Sequence, residues 1–194
     1  MSAVRYQGGE VAAGADFPAG GKPVLPICAL RGCNPVVWTS SNESRWTVAW
    51  ANIANGSIDG EQLVVGSNNL LLFLTDETTS LWSTTDAKTW TPVTLPEAMA
   101  LLLVRKAVWA HGRFVAILSN KYAGGPVDTY GQSDTVWSST DGTAWIQASV
   151  SGPPAVFQSL TVDSMGFQIM GILRQSQTPA EWASSDGVHW TATD

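Results

Sequence analysis

Four pairs of tryptophans punctuate this chain at one internal spacing: Trp38 and Trp46, Trp82 and Trp90, Trp137 and Trp145, and Trp182 and Trp190 lie eight residues apart. Side chains this large need cover, and self-similarity at a fixed period restricts a chain to folds built from one recurring supersecondary unit. The segments between them, WTSSNESRW, WSTTDAKTW, WSSTDGTAW and WASSDGVHW, share a plan. Hydroxyl residues come first, then Asp or Asn, then Gly or a substitute, then two residues and the second Trp. Successive first tryptophans are separated by 44, 55 and 45 residues. That is the length of a propeller blade and too long for a solenoid coil.

A type I turn followed by a left-handed residue is a common hairpin loop, with Asp or Asn and then Gly at its end. Placing Thr140, Asp141 and Gly142 in such a loop predicts Ser139 opposite Thr143 and Trp137 opposite Trp145, an aromatic clasp on one face of the sheet. The equivalent turns centre on Asn42, Asp86 and Asp186, with Gly187 as the counterpart of Gly142. Ala87 takes the left-handed position in the second copy, where a β-carbon costs about 1 kcal/mol. In the first copy Asn42 and Glu43 replace Asp-Gly, and Asn keeps the local side-chain hydrogen bond.

Upstream of each pair, VRYQGGEVAAG, LVVGSNNLLLFL, VWAHGRFVAIL and LTVDSMGFQIMGIL read as strand, turn, strand. Each repeat therefore holds two hairpins. The expected fold is all-β: a small β-propeller of four repeats, each of about four antiparallel strands, in one domain spanning 1–194. The repeats run approximately 4–50, 51–99, 100–151 and 152–194, with a Pro/Gly-rich extended loop at 15–34. No spare strand follows Trp190 to latch the ring. Either four blades close without a latch, or the arc stays open and is completed by an oligomer.

Charged residues make up 13% of the chain and apolar ones 44%, a sparsely charged composition that favours self-association or a protein partner. With a net charge of −6 and ten Lys and Arg scattered along the chain, no basic stripe exists to neutralise phosphates, so nucleic acid is excluded as a partner. No apolar run reaches membrane-spanning length, and the N-terminal residues lack a secretory signal pattern, which implies cytoplasmic synthesis. Cys28 and Cys33 either close a small disulfide or remain free thiols. With His111 and His189 as the only histidines and no ligand spacing around them, no metal and no cofactor are expected.

The segments SSTDGTAW and SSDGVHW resemble the Asp-box, or BNR, repeat of sialidase-like β-propellers, although Asp and Gly are adjacent here. The resemblance covers essentially the whole chain. It implies that the box residues are structural: Asp86, Asp141, Asp186, Gly142, Gly187 and the eight paired tryptophans. A sialidase also needs clustered arginines and a Tyr–Glu pair. Here the six arginines are spread over all repeats, with no Arg-Ile-Pro motif. The reading is accordingly of a non-catalytic member, not an enzyme.

Recognition then falls to the unequal loops at the other end of the blades. The longest, SNKYAGGPVDTYGQSD, carries Asn120, Tyr122, Asp128 and Tyr130 among glycines, the composition of an adaptable contact loop. The expected function is a structural or binding propeller within a larger assembly such as a phage virion, as a tail, receptor-binding or decoration protein. The alternative is a lectin-like module binding a surface glycan, and glycoside hydrolysis ranks last.

Overall fold

A computed structural model of the chain describes residues 2–15, 35–42, 44–51, 60–76, 78–120 and 134–193. The fold is all-β, of the propeller class, with four antiparallel four-stranded repeats. It divides into two compact units, Met1–Asp76 with Ser80–Thr94, and Glu77–Thr79 with Leu95–Asp194.

The first unit carries two sheets. One is the meander β1 (Ser2–Tyr6), β2 (Gly9–Ala15), β3 (Pro35–Ser40) and β4 (Thr47–Ala51). The other is β5 (Gly60–Val65), β6 (Leu70–Thr75), β7 (Thr79–Thr84) and β8 (Thr91–Val93). The second unit opens with one helical turn, α1 (Glu97–Ala100), before the sheet β9 (Leu103–Ala110), β10 (Arg113–Ser119), β11 (Thr135–Ser139) and β12 (Ile146–Gln147). A two-residue strand, β13 (Ser149–Val150), precedes the last sheet, β14 (Ala155–Val162), β15 (Phe167–Leu173), β16 (Pro179–Ser184) and β17 (His189–Thr193).

The second strands of the second and third repeats are the most apolar because they are covered on both faces. All six residues of β6, LLLFLT, are buried, as is β10 from Phe114 to Ser119. Alternation returns where one face meets solvent, as in β15 from Phe167 to Gly171. In the first unit the core gathers Val11, Val37, Leu63, Leu70, Leu72 and Trp90. In the second it gathers Val115, Ile117, Phe157, Ile169, Trp182 and Trp190.

Two of the opening hairpins turn on consecutive residues with positive φ, Gln7–Gly8 at 49° and 79° and His111–Gly112 at 50° and 73°. This is the type I′ geometry whose twist matches that of the flanking strands. At the outer edge of the last sheet, β13 pairs in parallel with β17, Ser149 beside His189 and Val150 beside Trp190, and covers an otherwise open strand edge.

Candidate functional site

The four aspartate or asparagine turns share one hydrogen-bond plan. In the third repeat Asp141 Oδ1 accepts from the backbone N–H of Thr143 at 2.7 Å and of Ala144 at 2.9 Å, and from the Ser139 hydroxyl at 3.0 Å. Asp86 repeats this with Lys88 and Thr89 N–H and the Thr84 hydroxyl, and Asp186 with Val188 and His189 N–H and the Ser184 hydroxyl. Asn42 Oδ1 accepts from Ser44 and Arg45 N–H at 3.1 and 3.2 Å.

These donors favour the charged carboxylate. The N–H groups of Ala144 and Thr143 hold Asp141 at about 2. Thr89 and Lys88 N–H together with the Thr84 hydroxyl hold Asp86 well below the usual carboxylate range. For Asp186 burial opposes the charge, and donors from His189, Val188 and Ser184 outweigh it, so that its carboxyl also lies low. Gly142 and Gly187 are left-handed, with φ of 80° and 69°, and Ala87 takes the same conformation at 59°.

The same bonds correct the predicted strand register. Trp137 pairs with Gln147, Trp38 with Val48, Trp82 with Pro92 and Trp182 with Ala192, so each first tryptophan faces a residue beyond the second one. Because Asp141 captures the amides of Thr143 and Ala144, the chain continues to turn after Gly142 before rejoining the ladder.

The second tryptophan then folds inward. Trp145 donates Nε1–H to Gly142 O at 3.0 Å and lies 6.3 Å from the Phe114 ring, and Trp190 lies at the same distance from Phe167. The first tryptophans have their own neighbours: Trp182 meets Phe157 at 5.1 Å, and Trp82 meets Trp50 at 4.9 Å, with Trp90 also near Trp50 at 6.2 Å. Trp38 is buried with Ala12 and Val36, and half-buried Trp46 packs against them. These rings are occupied by packing.

Aspartate turns also lock one repeat to the preceding one within a unit. Tyr6 Oη and Gln7 Nε2 both donate to Thr85 O, at 3.1 and 2.7 Å. In the second unit His111 Nε2 lies 2.8 Å from Asp163 O, and a β-carbon on Gly187 would sit 2.7 Å from Val115 Cγ2.

At the opposite ends of the strands lies the one deeply buried carboxylate among the described residues. Leu118 pairs with Thr135 and with Val104, which sets Asn120, Asp134 and Arg105 at the same end of the third sheet. Asp134, immediately before β11, is 5% exposed. Its N–H donates to Ala155 O at 3.3 Å, and its Oδ2 accepts from Phe157 N–H at 2.7 Å, beside the bulge between Phe157 and Ser159. Oδ1 is buried and has no hydrogen-bond partner among the described residues. Burial pushes the Asp134 carboxyl up against the opposing pull of Phe157 N–H and the Arg105 charge.

The predicted contact loop ends at this residue. Asn120 sits half-buried at the end of β10, whereas Tyr122, Asp128 and Tyr130 lie outside the described residues, as do Cys28 and Cys33. Sequence reasoning marked Asp134 only as a loop boundary. An acid directly before a buried strand was the available signal. Among the described residues no three His, Cys, Asp or Glu side chains gather as a metal site.

No sequence family and no curated protein matches the chain. Solved structures do. Zg3597, a family 117 glycoside hydrolase of the marine bacterium Zobellia galactanivorans, has a TM-score of 0.55 at 11% identity over 99% of this chain and 67% of its own. A family 43 arabinoxylan arabinofuranohydrolase from Bacillus subtilis gives 0.55 at 13%, covering 99% of this chain and 51% of that one. The Bombyx mori family 32 β-fructofuranosidase BmSUC1 gives 0.50 at 13%, covering 100% and 47%. The chain thus spans half to two thirds of these proteins, and the likeness shows the fold.

These neighbours correct two expectations, that the propeller is a non-catalytic assembly component such as a virion protein, and that it is not an enzyme. The scattered arginines argued only against the sialidase form of the chemistry. Glycoside hydrolases of other families share this fold, and glycoside hydrolysis generally calls for a pair of carboxyl groups.

Proposed function

We propose that the chain acts on carbohydrate as a glycoside hydrolase-type propeller, with Asp134 as the carboxyl group that handles the proton. The observation that supports this reading is the state of Asp134: buried, its carboxyl pushed up by that burial, with one oxygen fixed by Phe157 N–H and the other without a partner among the described residues. A carboxyl whose surroundings favour its neutral form suits a general acid, which protonates a leaving glycosidic oxygen as the C–O bond breaks and water takes its place. The Phe157 amide fixes the side chain while leaving its second oxygen to carry the proton. Arg105 supplies the charge that keeps the ionised form accessible after transfer.

The test is hydrolysis of a panel of aryl glycosides that includes α-L-arabinofuranoside and β-galactoside, together with sucrose. We expect release from at least one, and a fall in kcat of about 100-fold or more in Asp134→Asn. Circular dichroism and Tm would establish that the variant is folded. Absence of turnover across the panel, or a folded Asp134→Asn variant with undiminished kcat, would overturn the reading.

A further inference from the structure

A second polar site lies in the first unit, at the turn ends of the strands. The β1–β2 turn, from Tyr6 to Glu10, is flanked by Ser40, Ser41 and Arg45 and by Asp86–Lys88, and together they line an open groove of about 530 Å³. A hollow of about 470 Å³ continues it past Arg5 and Asn42. Volumes of this order belong to small-molecule sites, about 300–1,000 Å³.

The lining is chemically specific. Three of the chain's ten Lys and Arg, namely Arg5, Arg45 and Lys88, gather here although the chain carries a net charge of −6. The two acids among the described lining residues are already engaged. Glu10 faces Arg5 at 3.5 Å, and Asp86 accepts from Thr84, Lys88 and Thr89. Arg45 and Lys88 have exposed side chains with no carboxylate partner among the described residues.

Between these cations the surface is hydroxylic and amidic. The Ser41 hydroxyl makes no hydrogen bond among the described residues. Gln7 spends its Nε2 on Thr85 O and Tyr6 Oη, so its Oε1 remains an acceptor facing solvent. The turn itself is held: Gln7 has a φ of 49°, Gly9 could not take a β-carbon without meeting Ser40 O at 3.0 Å, and Tyr6 Oη is tied to Thr85 O and Asn68 O. A rigid floor with unspent donors and acceptors, between cations, suits a polyhydroxylated anion better than an apolar ligand.

We infer that this groove binds an acidic saccharide, a sugar bearing carboxylate or sulfate, at a site separate from Asp134. Arg45 and Lys88 hold the anionic substituent, while Ser41 and the Gln7 carbonyl meet ring hydroxyls. The choice of a sugar rests on the carbohydrate reading above, whereas the preference for an anion rests on the groove alone.

Isothermal titration of the full chain with a polygalacturonate oligosaccharide, a sulfated galactan oligosaccharide and a neutral galactan oligosaccharide of equal length tests it. We expect binding of at least one acidic ligand, weakened by added salt, and weaker by about tenfold or more in the double variant Arg45→Gln/Lys88→Gln with Tm retained. Asp134→Asn should leave that affinity unchanged. Equal affinity for acidic and neutral ligands, no binding of either acidic ligand, or full retention in the double variant would overturn the inference. Acidic-ligand binding without turnover of any glycoside would sink the catalytic reading and leave the groove standing, and turnover without acidic-ligand binding would do the reverse.

Discussion

Trp137 faces Gln147 across the β11–β12 pair, and the residue between them that turns the chain is Asp141, whose Oδ1 holds the amides of Thr143 and Ala144. A carboxylate thus takes two amides that a tighter hairpin would have spent on the ladder. Asp141→Ala should cost about 1 kcal/mol at pH 7, in the range of lost capping side chains, and Asp141→Asn less, because Asn42 makes the same bonds in the first repeat. The folded carboxyl at about 2 lies below its unfolded value, so its contribution is present above the unfolded value near 4 and fades as pH falls through about 2. Urea unfolding of wild type and the Asn variant at pH 7 and in acid should show the gap closing.

The glycine positions of these turns separate two penalties. Gly187→Ala adds left-handed strain and a β-carbon 2.7 Å from Val115 Cγ2, and should destabilise by about 2 kcal/mol or more. Ala87→Gly removes the strain at φ 59° but also a methyl buried among Tyr6 and Val11, and should change stability by less than about 0.5 kcal/mol. Calorimetric Tm values would distinguish a large drop from none.

Trp145→Phe and Trp190→Phe remove the same volume from equivalent places against Phe114 and Phe167. Trp145 also loses its bond to Gly142 O, whereas the Trp190 Nε1 is buried without a partner among the described residues. Trp145→Phe should therefore be the more damaging by about 1 kcal/mol in denaturant unfolding.

For Asp134 the sign is opposite to that of the turn aspartates. Its folded carboxyl is raised, so the stability it contributes is fully present below the unfolded value and is lost as pH rises through the folded one. Asp134→Asn keeps an acceptor for Phe157 N–H without the buried charge. The variant should melt higher than wild type at pH 8, with the advantage shrinking below pH 4, and thermal melts across that range would show it. A variant that melts lower at pH 8 would mean that the ionised side chain is well accommodated.

The repeat was legible because tryptophan spacing and the Asp-Gly pair are local signals, and they specified four hairpins, the left-handed Ala87 and the all-β class. The register was not, because it depends on whether the Asp141 side chain or the opposing strand takes the amides of Thr143 and Ala144. Asp134 escaped notice for a different reason. Its character comes from Ala155 and Phe157, over twenty residues away and in the next sheet, and no local pattern reports burial by a neighbouring blade. The absence of a sialidase residue pattern bears on one chemistry and does not reach every chemistry that this fold carries.

The bonds from Tyr6 and Gln7 to Thr85 O bear on what part of this protein could be transplanted. A lone first repeat would turn a phenol and an amide out to water instead of onto Thr85 O. A lone second repeat would expose the Ala87 methyl it now buries. A graft cut between Ala51 and Gly60 would therefore sever a handshake that the intact chain makes at the far end of the strands.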